Sequence, residues 1–192
     1  RGLGHASPLR WWRERKGAVL DRAEHGPLIP LAEALFALAR RNVGALVVVP
    51  RADDPAEHLT GGTRLDAVVS SQLLEALFQH GSPVHDGAVV IENRRIALAG
   101  ALLPLSSSPD LPKQYGTRHR AAIGLTERCD AVTLVASEER GEVSLGVGGR
   151  MSRPFGSPTE LSVRLEELAR QAPVVRSPLQ GARSEARRNR SR

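Results

Sequence analysis

Aromatic residues are scarce. Three Phe, two Trp and one Tyr make up 3% of the 192 residues. A core built on ring packing is excluded, and Leu, Val, Ala and Ile must fill the interior instead. Cysteine occurs once, at Cys129. One thiol forms no internal disulfide and cannot build a Cys-based zinc site alone, which suits a reducing compartment. Long apolar runs are missing too. The longest, Ile96 to Leu103, has eight residues, against roughly 20 needed to span a bilayer. Neither a membrane span nor a signal peptide is therefore expected within these residues. The chain begins with Arg1 rather than Met, so the natural N-terminus is expected upstream.

Hydrophobic residues make up 41% of the chain, enough for a real core, and wholesale disorder is excluded. The length suits one domain with loose ends. The net charge of +6 suggests nucleic-acid binding until its distribution is read. Residues 1–22 carry six Lys/Arg and two Asp/Glu, net +4; residues 176–192 carry six Arg and one Glu, net +5. The remaining residues carry 15 basic and 18 acidic side chains, net −3. The basicity lies in the ends, whose attraction to anionic lipid or nucleic acid is weak and salt-dependent. No specific nucleic-acid partner is expected.

Residues 1–27 read as a basic linker. Trp11-Trp12 lies among Arg10, Arg13, Arg15 and Lys16. That is the pattern of the cytoplasmic edge of a membrane segment, or of an amphipathic helix docking both rings on the domain. Leu31, Ala34, Leu35, Leu38 and Ala39 follow a helix face, with Asn42 and Gly44 as stop signals. Ala45–Val49, ended by Pro50, reads as a buried strand. Residues 51–64 are polar and Gly-rich and read as a loop. Ser70 or Ser71 caps a helix carrying Leu73, Leu74, Leu77 and Phe78. Ala88–Ile91 and Arg95–Leu103 read as strands about a tight turn at Asn93-Arg94. Thr117 is expected to cap a helix through Ala121, Ala122 and Leu125. Ala131–Ala136 and Glu142–Val147 read as a hairpin, its second strand half-buried by alternation. Ser157-Pro158-Thr159-Glu160 is a capping box opening a helix with Leu161, Leu165, Leu168 and Ala172. Residues 173–192 read as a basic disordered tail. The expected fold is α/β: a mixed central sheet of about five to seven strands flanked by helices, spanning residues 28–172.

Two stretches carry chemistry. His85-Asp86-Gly87-Ala88 precedes a strand and sets an imidazole beside a carboxylate, donors suited to a divalent metal. Gly87 and Ala88 leave the backbone open to close approach, although Asp-Gly is also a common turn. Gly116-Thr117-Arg118-His119-Arg120 puts two Arg in the first turn of a helix, where the dipole disfavours cations. A bound polyanion reverses that argument, because N–H groups and guanidinium forks then face the same phosphates. Ser137-Glu138-Glu139-Arg140-Gly141 reads either as a third part of such a site or as a charged hairpin tip. Gly146, Gly148 and Gly149 mark a bulge or strand end rather than a phosphate loop.

These stretches occur in order with Leu65-Asp66-Ala67-Val68-Val69-Ser70-Ser71, Ser82-Pro83-Val84 and Leu103-Pro104-Leu105-Ser106. Together they resemble the diadenylate cyclase (DAC) domain, whose signature pairs a DGA and an RHR motif, over about residues 44 to 150. The resemblance implies that two ATP are condensed into cyclic di-3′,5′-AMP and two pyrophosphates. Two subunits would face each other, each holding one ATP. It implies Asp86, Gly87 and Ala88 as the catalytic motif, with Asp86 activating the 3′-hydroxyl. His85 and Asp86 would be ligands of a divalent metal, Mn²⁺ or Mg²⁺. Thr117, Arg118, His119 and Arg120 would hold phosphates, with Ser137 and Glu138 lining the phosphate and metal side. Leu102 and Leu103 would flank the adenine. A membrane anchor upstream of Arg1 would leave this domain cytoplasmic. The alternative is a nucleotide-binding regulatory module without turnover.

Overall fold

The computed structural model describes residues 28–171. Helix α1 (Leu28–Arg40) precedes strand β1 (Ala45–Pro50), a 3₁₀ turn at Pro55–His58 and strand β2 (Thr60–Val68). Helix α2 (Ser71–Phe78) leads into the hairpin β3 (Ala88–Glu92) and β4 (Arg95–Leu102). Helix α3 (Thr117–Thr126), strands β5 (Ala131–Ala136), β6 (Val143–Val147) and β7 (Arg150–Met151), and helix α4 (Pro158–Arg170) complete the fold. The seven strands form one sheet in the order β2-β4-β3-β1-β5-β6-β7. Only β1 and β3 pair in parallel; the other pairs are antiparallel. The expected mixed sheet is present at the upper end of its strand range.

Each sheet face is covered, and the covering explains the sequence of β1. Val47 and Val49 pack with α1, α2 and α4 on one face, while Leu46 and Val48 pack with α3 on the other. A strand buried on both sides has no polar face to alternate, so it reads as a continuous apolar run. In β4, Ile96 and Leu98 lie on opposite faces although they are two residues apart. The register shift in the β3–β4 ladder at Val90/Ile91 accounts for this.

The helix ends follow their local chemistry. Helix α1 closes with Val43 N–H donating to the Leu38 carbonyl (2.9 Å) and Asn42 N–H to that of Ala39 (3.0 Å), with Asn42 at φ 53°. Ser70, not Ser71, caps α2 by accepting from Leu73 N–H at 3.2 Å. Ser157 caps α4 through Glu160 N–H at 3.2 Å, and the Glu160 carboxylate accepts in return from Gly156 N–H at 2.8 Å. The capping box is thus closed one residue early. Asn93 and Arg94 both have positive φ, as a two-residue hairpin turn requires.

Three expectations need correction. The stretch read as a loop over residues 51–64 contains the 3₁₀ turn and the first half of β2. β2 is an edge strand whose side chains are mostly exposed or half-buried, so no apolar alternation announces it. Strand β6 is not half-buried, because Ser144 and Gly146 are as buried as Val143 and Leu145. Thr117 does not cap α3; the cap is Gly116, which has no side chain to do so. The readings of Trp11-Trp12, the linker, Ala172 and the basic tail lie outside the described residues.

A buried ion pair ties the far end of β1 to the turn before β5. Arg51 Nη1 lies 3.2 Å from Asp130 Oδ1, with side chains 4% and 2% exposed. Arg51 Nη2 also donates to the Gln171 carbonyl at 2.9 Å, and Asp53 accepts from Asp130 N–H at 2.7 Å.

Candidate active site

The start of β1, the start of β3, the end of β4 and the end of β5 meet at one end of the sheet, as their pairing directions require. A cleft of about 480 Å³ opens there, in the size range of small-molecule sites. Its walls combine Asp86 and Gly87, Leu102, Leu103 and Leu105, the first turn of α3, and Ser137, Glu138 and Glu139.

The approach to β3 is a turn in which Ser82 accepts from His85 N–H at 3.2 Å, with Pro83 in the second position. The His85 imidazole folds back so that Nδ1 lies 2.6 Å from the Ser82 carbonyl. A carbonyl only accepts, so Nδ1 carries the proton and Nε2 is left to accept or ligate. Nε2 lies 3.6 Å from Asp86 Oδ1, and the Asp86 side chain is 85% exposed on the cleft side. Gly87 has φ +118°, and a Cβ there would lie 2.7 Å from the Gly100 carbonyl carbon. Its glycine is required by the packing of this turn on β4, a different reason from the ligand approach expected of it. Ala88 is fully buried, pairs with Ala101 and does not line the cleft.

The apolar wall is pinned to α3. Ser106 N–H donates to the Arg120 carbonyl at 2.9 Å, and Ser106 Oγ to Glu127 Oε1 at 2.7 Å. Gly124 lets the helix sit on this segment, because a Cβ there would come 2.1 Å from the Pro104 carbonyl oxygen. Leu102 and Leu105 are therefore held in the cleft wall although 57% and 52% exposed. Apolar side chains kept at the mouth of a cleft suit the faces of a flat apolar group.

The first turn of α3 forms the polar wall. Gly116 contributes no side-chain cap, so the opening N–H groups and the positive dipole end remain available to an anion. Arg118 Nη1 lies 2.8 Å from Glu138 Oε2. The pair sits over Gly44, where a Cβ would be 2.5 Å from Nη1 and 2.6 Å from Oε2. His119 is 5% exposed and stacks on Tyr115, ring centroids 4.8 Å apart and planes within 7°. Burial, reinforced by the nearby Arg140 charge, pulls the His119 pKa below 6.5; Glu139 and Glu142 oppose this less strongly. Arg120 is not in the cleft wall, and its Nε donates to the Tyr115 carbonyl at 3.3 Å.

At the end of β5, Ser137 is buried and its Oγ accepts from Arg140 N–H at 3.3 Å, closing the hairpin tip. Glu138 and Glu139 leave that tip into the wall.

The cleft thus gathers Asp86, Gly87, Leu102, Leu103, Thr117, Arg118, His119, Ser137 and Glu138. His85 stands behind Asp86, and Ala88 and Arg120 lie outside the wall. Leu105 and Glu139 join the wall from stretches already marked in the sequence, whereas Leu46 and Gln114 join it, and Gly44 supports it, without having been singled out there as site residues. Gly44 looked like a helix stop, and the side chains above it come from α3 and the β5–β6 tip.

Among the described residues no group of three or more His, Cys, Asp and Glu side chains is placed to hold a metal ion. The His85–Asp86 pair nevertheless has the donor chemistry of a hard divalent ion that takes its remaining ligands from phosphate and water, a common arrangement for Mg²⁺.

The family model DAC, described as DisA bacterial checkpoint controller nucleotide-binding, matches residues 32–151. A diadenylate cyclase of Listeria monocytogenes is 38% identical over 174 residues, covering 89% of this chain and 64% of the relative. The chain therefore spans less than two thirds of that relative's length. A double mutant of DacA from Staphylococcus aureus has a similar structure, with TM-score 0.70 and 36% identity over 75% of this chain and 96% of that one. A Bacillus cereus protein described as a hypothetical membrane spanning protein is similar with TM-score 0.64 and 41% identity, over 66% of this chain and 62% of that one.

Proposed function

Because the chain belongs to the DAC nucleotide-binding family, we propose that it is a diadenylate cyclase. It condenses two ATP into cyclic di-3′,5′-AMP and two pyrophosphates. The observation that carries this reading is the convergence of an exposed carboxylate, Asp86, an apolar leucine wall and the uncapped, Arg-bearing start of α3 on one cleft.

Each element has a part in a phosphoryl transfer. Leu102, Leu103 and Leu105 hold the adenine by its faces. The N–H groups at the start of α3, the Thr117 hydroxyl and the Arg118 guanidinium hold the phosphates and offset charge that builds on them. Arg118 can do so only by sharing or leaving Glu138, with which it is paired at 2.8 Å. His119 contributes a neutral, directional hydrogen bond, since its burial disfavours the imidazolium. Asp86 accepts a hydrogen bond from the attacking 3′-hydroxyl. The 3′-oxygen forms a bond to the α-phosphorus of the opposite ATP, the bond from that phosphorus to the pyrophosphate oxygen breaks, and the hydroxyl proton passes to Asp86 or water. A divalent ion, Mn²⁺ or Mg²⁺, held by His85 and Asp86 would neutralise phosphate charge and acidify the hydroxyl. Most of the catalysis is positioning and charge compensation rather than covalent chemistry.

One cleft serves one ATP, and the product joins two. The second site belongs to a second copy of the chain, facing the first. Residues 28–172 are then the catalytic domain, with the basic stretches 1–27 and 173–192 as linker and tail. A membrane tether ahead of the linker belongs to the same reading, supported by the description of the Bacillus cereus relative. Among the described residues no helix is long and apolar enough to cross a membrane. Incubation with ATP and Mn²⁺ or Mg²⁺, with the product identified by mass, tests the activity. Cyclic di-AMP and two equivalents of pyrophosphate are expected; ATP bound but unconverted contradicts the reading.

A further inference from the structure

Tyr115 is the residue before the Gly116 cap, and it holds two side chains of α3 at once. Its ring lies on the His119 imidazole, 4.8 Å between centroids and 7° between planes. Its carbonyl accepts from Arg120 Nε at 3.3 Å, and its own N–H donates to the Pro112 carbonyl at 3.0 Å. The spacing of four residues puts Tyr115 and His119 on one side of the helix entry. Gly116 itself has no side chain with which to fix the first turn.

We infer that Tyr115 is a positioning residue for nucleotide phosphate, acting through its ring on His119. The inference rests on the cyclase reading and extends it to a residue outside the RHR stretch. An imidazole acting as a neutral hydrogen-bonding group is useful only over a narrow range of directions. His119 is such a group, since it is buried with its imidazolium disfavoured. Stacking on Tyr115 fixes the plane of the imidazole and so the direction of its nitrogens. The Arg120 contact uses the Tyr115 carbonyl, which every substitution at this position retains. Variants at 115 therefore isolate the ring.

The test is the affinity for a non-hydrolysable ATP analogue, measured by calorimetry on the whole chain. Tyr115→Phe keeps the ring and should bind within about twofold of the parent, whereas Tyr115→Leu should bind about five- to tenfold more weakly. Tyr115→Gln serves as a second non-aromatic variant should the Leu form fold poorly. In a His119→Gln background, Tyr115→Leu should cost less than about twofold more, because there is no imidazole left to position. Parent-like binding by both non-aromatic variants, or losses that multiply in the double variant, overturns the inference. Coupled losses in a protein that forms no cyclic product leave this inference standing and remove the cyclase reading. Product formation with parent-like Tyr115→Leu does the reverse.

Discussion

Arg118 Nη1 and Glu138 Oε2 meet at 2.8 Å directly above Gly44. Three segments distant in sequence therefore share one point of the cleft. A cation from the first turn of α3 is held in place by a carboxylate from the β5–β6 tip, and the absence of a side chain at the start of β1 makes the room.

Gly44→Ala should weaken nucleotide binding without unfolding the protein. A Cβ at 2.5 Å from Nη1 and 2.6 Å from Oε2 displaces the ends of two flexible side chains rather than backbone. Stability should stay within about 1 kcal/mol of the parent. Loss of one charge-assisted phosphate bond corresponds to about 1.5–3 kcal/mol, or roughly tenfold or more in ATP affinity. Paired calorimetry and denaturant melts check both halves.

Gly87→Ala should do the opposite, damaging the fold first. Here the new Cβ meets Gly100 carbonyl carbon at 2.7 Å and Ala101 oxygen at 2.9 Å, both backbone, and φ is +118°. The combined overlap and strain should cost about 2–4 kcal/mol, read as a lower denaturant midpoint.

Two aspartates should separate chemistry from stability. Asp86→Asn removes an exposed carboxylate from the cleft and should nearly abolish cyclic product while leaving the melting curve unchanged. Asp130→Asn removes the buried carboxylate that pairs with Arg51, which should cost about 3–5 kcal/mol. Asp86→Asn with parent-like turnover would remove the catalytic assignment.

How much of this was legible in the sequence depends on what covers each segment. β1 and β3 could be read as strands because burial on both faces leaves uninterrupted apolar runs. β2 could not, because an edge strand with Gly61 and Gly62 has little apolar pattern to show. The two chemical stretches around Asp86 and Arg118 stood out by composition. Gly44 and Tyr115 did not, because their roles depend on contacts with α3 and with the β5–β6 tip. The cap of α3 is Gly116 rather than Thr117, which leaves the helix start without a side-chain partner, an arrangement unfavourable alone and favourable beside an anion.

His119 should leave a mark on the pH dependence of stability. Its folded pKa lies below 6.5, so between the folded value and 6.5 the unfolded chain binds more protons than the folded one. Its contribution is therefore fully present above about pH 6.5 and declines as the pH falls through that window. The difference in unfolding free energy between parent and His119→Gln should narrow on acidification from about pH 7.5 to 5.5. A difference that stays constant, or widens, would show that the imidazole is not held neutral by burial.

The measurement closest to the central claim is specific activity against protein concentration, at saturating ATP, with cyclic di-AMP as the readout. If two facing copies each supply one ATP, specific activity should rise through the dilute range and level off once the dimer is populated. Asp86→Asn chains added to a fixed amount of parent protein should then depress turnover as mixed dimers form. Cyclic di-AMP produced by verified monomers at a specific activity independent of concentration would contradict the account.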